Sequence, residues 1–237
     1  MKQRSYLRLL TKAYLHATNA PRSLRYILSL SYLGITIGAL SLMLAFVITR
    51  GFERDIGRKM KGINSDAVVR SPGNQLDTDS LKKHINGTMG RFVRGISGSS
   101  ARYVMLERDD AFHVMLLRGI VPKDEARTTC LAQKIVTPRR HSLEHLLATP
   151  NSIIVGRSLA LQYRLCCGDE ITVYVPEKEH GSSLGLEKHR VTVAGIFSVG
   201  IDEYDGHTSY CSLDTIKKLC PEVKGVDQLA VSFAERP

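Results

Sequence analysis

The sequence predicts an α+β protein in which one N-terminal transmembrane helix precedes a mixed-sheet domain, and three observations carry that prediction. An uncharged run of 24 residues, Tyr26 to Thr49, lies between Arg25 and Arg50. The net charge of +10 is concentrated around that run: residues 1 to 62 hold 11 Lys/Arg against 2 Asp/Glu, and residues 63 to 237 hold 22 against 21. Beyond it, short segments of two-residue apolar alternation mix with short segments of helical spacing, joined by Gly and Pro.

The leader, residues 1–25, is basic without a single acid. From Arg4 to Ala17 it reads as an amphipathic helix, with Arg4, Arg8 and Lys12 opposite Tyr6, Leu7, Leu10, Tyr14 and Ala17. Such a helix suits a membrane surface, its cations among headgroups and its apolar arc among acyl chains. The run 26–49 follows. At 1.5 Å per residue it would extend about 36 Å, enough to cross a hydrocarbon core of about 30 Å with some tilt. Within it, Ser31, Gly34, Gly38, Ser41 and Ala45 recur at spacings of three and four, placing five small residues on one face. In lipid, helices associate through close backbone approach, so this face is expected to pack against a partner helix.

Residues 50–62 read as a charged helical connector, with Arg50, Arg54, Arg58, Lys59 and Lys61. The cations flanking the run nearly balance, and the acid-free leader favours a cytoplasmic N-terminus with the C-terminal domain on the far side. Residues 63–237 form the core domain. Expected strands are 67–70, 92–96, 101–107, 112–118, 152–155, 170–175, 189–197, 208–211 and 228–233. Expected helices are 78–85, 142–147, 157–164 and 212–219, with Asp77 and Ser212 as N-caps.

Several function classes find no footing. A basic nucleic-acid surface is not indicated, because the excess charge stays near the apolar run. Neither a phosphate-cradling Walker loop, a nucleophile elbow nor a dinucleotide fingerprint occurs, so the chain is not read as an enzyme and no cofactor is assigned to it. The five cysteines, Cys130, Cys166, Cys167, Cys211 and Cys220, are odd in number and lack zinc spacing. They read as small buried apolar residues. His141, Ser142, Leu143, Glu144 and His145 match the His-x-x-Glu-His order of inverted zinc peptidases, which would have two histidines on one helix holding zinc and Glu144 activating water. A chance match on an exposed helix is the better reading, and no metal site is assigned.

Three stretches resemble the LolC/LolE lipoprotein-releasing permeases, which belong with the MacB- and FtsX-type ABC transporter membrane subunits. They are Arg25 to Ile56, similar to that family's first membrane helix; Ile153 to Pro176, with its strand, Gly, Leu-Ala helix and Gly-Asp turn; and VAGIFSVGIDEYD from Val193 to Asp205. RGIVP, from Arg118 to Pro122, matches a weaker landmark. The resemblance implies a bacterial inner-membrane protein with a MacB-type periplasmic core domain. It implies lipoprotein extraction and hand-over to a soluble periplasmic carrier, coupled to ATP hydrolysis by an ATP-binding ABC subunit. Further membrane helices or a second permease subunit would be required as partners. In the LolC branch a loop between two strands grips the carrier. Here it runs from Glu177 to Arg190 without that family's proline-rich sequence, and Ser183, Leu184, Gly185, Leu186, Glu187 and Lys188 are its candidate contacts. No second uncharged run of 18 residues follows Thr49, so the expectation is a split or truncated subunit. A membrane-anchored adaptor without transport activity is the alternative.

Overall fold

The computed structural model describes residues 22–60, 62, 63, 65–70, 76–108, 111–139, 141–178, 184–223 and 225–234; the leader helix expected over Arg4 to Ala17 lies outside them. The chain divides into two compact units, residues 1–55 and 56–237.

Helix α1, Arg22–Met60, runs for 39 residues without Pro. Long apolar side chains cover it on all sides and stay exposed, with Leu30 at 71%, Ile35 at 72% and Leu42 at 75%. Among the described residues it is the one helix long and apolar enough to cross a membrane. An apolar surface exposed all round among the described residues suits lipid or other helices rather than water.

Among the described residues the second unit has nine strands: β1 (Ala67–Arg70), β2 (Val93–Arg108), β3 (Ala111–Ile120), β4 (Ile135–Thr137), β5 (Ser152–Gly156), β6 (Glu170–Lys178), β7 (Leu184–Phe197), β8 (Thr208–Ser212) and β9 (Gln228–Phe233). Six short helices interrupt them: α2 (Thr78–Met89), α3 (Pro122–Thr128), α4 (Leu143–Leu146), α5 (Arg157–Gln162), α6 (Asp202–His207) and α7 (Leu213–Leu219). The spatial order is β1-β9-β2-β3-β8-β5-β7-β4, and β6 bridges β2 and β7. Strands β2, β3, β8, β5, β7 and β6 therefore close into a ring. Parallel pairs (β3 with β8, β5 with β7) sit beside antiparallel ones, so the sheet is mixed as expected.

Ring closure follows from the length of β2. Its first half pairs with β9, while residues 105–107 pair with β6 on the same side. Alternate residues then point inward: Val104, Leu106, Met115, Leu117, Ile153, Val155, Val173 and Val193, all buried, form the enclosed core. Their neighbours Ile120, Ile154, Phe197 and Tyr210 face outward, under Leu131, Leu143 and Leu146 from the segments between β3 and β5.

The expected segments at 92–96 and 101–107 are one strand. The intervening Ser97, Gly98, Ser99 and Ser100 look like a turn in sequence, but other elements satisfy two of the hydroxyls: Ser97 Oγ donates to Glu125 Oε2 at 2.6 Å and Ser100 Oγ to Asp227 Oδ2 at 2.6 Å. Strand β4 and helices α3 and α6 were not anticipated, being too short or too polar to show a period. The expected caps are present. Asp77 accepts from the Ser80 N–H, and Ser212 from the Thr215 N–H.

Candidate functional site

The five small residues of α1, Ser31, Gly34, Gly38, Ser41 and Ala45, are all exposed, and a methyl group added at Gly34 or Gly38 would meet nothing within 4 Å. The face is thus available to another helix. Two hydroxyls nearby are satisfied within α1: Ser29 Oγ donates to the Tyr26 carbonyl at 2.9 Å and Thr36 Oγ1 to the Tyr32 carbonyl at 2.7 Å. Neither competes for a partner. At the end of the apolar run, the Arg50 guanidinium lies 5.1 Å from the Phe46 ring centre.

The segment read as a contact loop is mostly strand. Pairing continues from Glu170 opposite Thr192 to Lys178 opposite Leu184, so Leu184, Gly185, Leu186, Glu187 and Lys188 belong to β7, and Ser183 lies outside the described residues. The charged ends of β6 and β7 hid this extension, since Glu and Lys are poor strand formers unless a partner strand supplies the ladder. The hairpin nonetheless presents side chains outward: Leu186 is 51% exposed, and Glu187 and Lys188 are exposed.

A polar cluster holds the base of this hairpin. Tyr174 Oη donates to Glu107 Oε2 at 2.9 Å, Lys188 Nζ lies 3.6 Å from the same oxygen, and that ammonium sits 5.6 Å from the Tyr174 ring centre. The neighbouring Tyr174 hydroxyl first, and then Glu107, raise the Lys188 pKa, so the ammonium stays charged throughout the neutral range. Phe112 packs edge-on against Tyr174 at 5.9 Å. Sequence reading missed Glu107, Phe112 and Tyr174, whose only signal is that they occupy outward positions of expected strands.

The landmark stretches prove to be folding devices that meet in space. Gly168, at φ +97°, makes the expected turn, in which Asp169 Oδ2 accepts from the Cys166 N–H at 3.0 Å. In VGIDEYD, the buried Asp205 carboxylate folds back on its own turn, accepting from Val199 N–H and Ser198 Oγ at 2.9 Å and from Gly200 N–H at 3.2 Å. The backbone of Asp205 packs directly on Gly156, where a Cβ would overlap the Asp205 carbonyl group. Tyr204 and Tyr210 share a hydroxyl hydrogen bond of 2.6 Å, and both phenols lie near the Arg118 guanidinium.

The His-x-x-Glu-His string does not lie on one helix. Helix α4 starts at Leu143, after the capping Ser142, so His141 precedes the helix and its Nδ1 faces the Arg139 carbonyl at 3.3 Å. Its ring lies 5.2 Å from that of His145, and both are exposed. Among the described residues no group of three or more His, Cys, Asp or Glu could hold a metal ion.

The cysteines divide. Cys211 and Cys220 are buried as expected, whereas Cys130 is only half-buried and Cys166 and Cys167 are exposed. Burial pushes the Cys220 thiol from 9.0 to about 11, and it holds the Cys211 thiol higher still. A maleimide at pH 7.5 is therefore expected to label Cys166 readily and to leave Cys211 and Cys220 unmodified until the chain unfolds. Mass spectrometry of the labelled peptides checks this. The unfolded thiols ionise first, so the stability linked to Cys220 is whole below pH 9.0 and is lost as pH rises towards about 11.

The fold and site define a class: a helix long and apolar enough to span a bilayer, followed by a mixed-sheet domain with landmark turns. Within that class, the chain is similar to the lipoprotein-releasing system transmembrane protein LolC. It is 25% identical to the Xylella fastidiosa protein over 210 residues, 87% of this chain and 49% of that relative. Against the Neisseria meningitidis protein it is 24% identical over 229 residues, 94% of this chain and 53% of the relative. The chain thus spans about half the length of the curated relatives it matches. No protein-family model matches it. Among solved structures, the extracellular domain of the ABC-type transporter YknZ from Gram-positive bacteria aligns with a TM-score of 0.49 at 12% identity, covering 71% of this chain and 82% of that one. The periplasmic region of MacB from Actinobacillus actinomycetemcomitans does so with 0.49 at 12%, covering 74% and 77%.

Proposed function

We propose that this chain is the first membrane helix and periplasmic domain of an ABC transporter permease subunit of the lipoprotein-releasing type. One observation supports the reading above the others: similarity to the LolC permeases runs continuously through the apolar helix and the mixed-sheet domain, in the same order. On this reading α1 crosses the inner membrane with its N-terminus in the cytoplasm. Its small-residue face docks on further permease helices. The domain outside contacts lipoprotein or its carrier through the exposed end of the β6–β7 hairpin. ATP is bound and hydrolysed by a separate ABC subunit, and this chain carries no cofactor.

The test is co-purification. Expressed with a candidate ATP-binding subunit and the membrane segments that continue its relatives, the full chain should be retained with them in mild detergent. External protease on spheroplasts should digest the domain. Loss of every partner, or a domain protected from external protease, would sink the proposal.

Gly34→Leu combined with Gly38→Leu should abolish co-purification while leaving membrane insertion intact, because two bulky side chains hold the helices apart but raise apolarity. Blue-native electrophoresis reads the loss of the larger complex; an unchanged complex would remove the helix face from the reading.

A further inference from the structure

One face of the domain remains bare. By strand register, Val68 and Arg70 on β1, Gln228 on β9, Ala101 and Tyr103 on β2, and Leu116 and Arg118 on β3 all point away from the enclosed core. At one end, Arg70 and Arg118 line a cleft with Ser65 and Gln228, over Ala101 and Leu116. Leu116 continues into a shallow trough lined by Tyr103, Phe112 and Val114, exposed by 70%, 58% and 52%. His113, His207 and Thr208 complete the trough, so the face is cationic at one end and mainly apolar along Leu116, Val114, Tyr103 and Phe112.

Two features say what would cover it. First, the cationic end makes no ion pair: among the described residues no carboxylate lies within ion-pair distance of Arg70 or Arg118. Glu125, the nearby acid, already accepts from Ser97 Oγ at 2.6 Å and Thr129 Oγ1 at 3.1 Å. Burial works against the charge on half-buried Arg118, but Tyr210, Tyr204 and Glu125 outweigh it and its pKa is raised. A guanidinium so placed presents donors suited to an oxyanion. Second, the amides beneath the trough are consumed in the β2–β3 ladder, paired from Ser99 with Ile120 to Arg108 with Ala111. A peptide lying across this face would find no backbone partners, whereas an alkyl chain needs none.

We infer that this face binds an anionic amphiphile, its oxyanion held by Arg118 and Arg70 and its alkyl chain laid along Leu116, Val114, Tyr103 and Phe112. The inference goes beyond the permease reading and does not rest on it, since it needs only the domain's own surface.

The full chain in nanodiscs of zwitterionic lipid, exposed to a fatty acid bearing a terminal diazirine, supplies the test. Irradiation should attach the probe within residues 101–105 or 112–117. Laurate should compete, while dodecanol, inorganic phosphate and polyglutamate at equal concentration should not. Arg118→Gln should lower labelling about tenfold. Because that change also removes the cation beside Tyr204 and Tyr210, Arg70→Gln and Val114→Asp, both at exposed positions, serve as independent variants, each expected to lower labelling several-fold without shifting the melting temperature. Labelling confined to α1, or unchanged in those two variants, would overturn the inference. Equal competition by dodecanol would leave no role for the arginines, displacement by phosphate alone would reduce the cleft to a small-anion site, and displacement by polyglutamate would make the occupant an acidic peptide; each result rejects the amphiphile.

Discussion

Gly156→Ala is expected to destabilise the domain by about 3 kcal/mol or more, the largest effect of a methyl group added at any of the described glycines. The added Cβ would overlap the backbone carbonyl of Asp205, which cannot rotate away as a side chain could. Relief requires β5 and α6 to separate. Both are committed: β5 pairs with β7 on one side and β8 on the other, and Asp205 is anchored by its own carboxylate to the turn before α6. Urea unfolding followed by circular dichroism checks the loss, and a change below about 1 kcal/mol would mean that the two elements can part cheaply. Gly168→Ala is a useful contrast. A Cβ there meets nothing within 4 Å, so its cost is confined to backbone strain at positive φ.

Asp205→Ala should cost about 3 to 5 kcal/mol. The carboxylate is 1% exposed, and its two oxygens serve Val199 N–H, Gly200 N–H and Ser198 Oγ. Alanine leaves two backbone N–H groups without an acceptor inside the protein, and it removes the tie that sets the path from β7 into α6. Asp205→Asn retains the shape but offers one oxygen instead of two. Its amide nitrogen must face either Val199 N–H or the Ser198 and Gly200 donors, and only the serine hydroxyl can turn to accept. An intermediate loss of about 2 kcal/mol is expected. Equal loss for Ala and Asn would mean that charge rather than acceptor count is what the turn requires. The double variant with Gly156→Ala should be less destabilised than the sum of the two, because both act on one contact.

These two residues belong to different landmark stretches that sequence reading could match to a family only one at a time. Their joint role needed the fold: Gly156 and Asp205 are 49 positions apart, and no local period links them. Of the candidate contacts, Leu186, Glu187 and Lys188 are expected in a loop and lie instead on β7, with their side chains exposed. Charged side chains at a hairpin tip resemble a solvated loop until the partner strand is known. Arg118 appeared in sequence only within RGIVP, and its unpaired charge became visible once β3 lay between β2 and β8.

By itself the sequence determined what depends on neighbours in the chain: the 24-residue apolar run, its small-residue stripe, the capping residues Asp77 and Ser212, and the mixed strand and helix content. Each is a local periodicity or a hydrogen bond across three residues, so composition at adjacent positions suffices. Tertiary structure alone decided that β6 closes the sheet into a ring, that Ser97 to Ser100 is strand, and that one outer face stays bare with two arginines at its end. Those outcomes depend on which distant strand supplies the second half of each backbone hydrogen bond, and that choice is made by the packing of the whole chain.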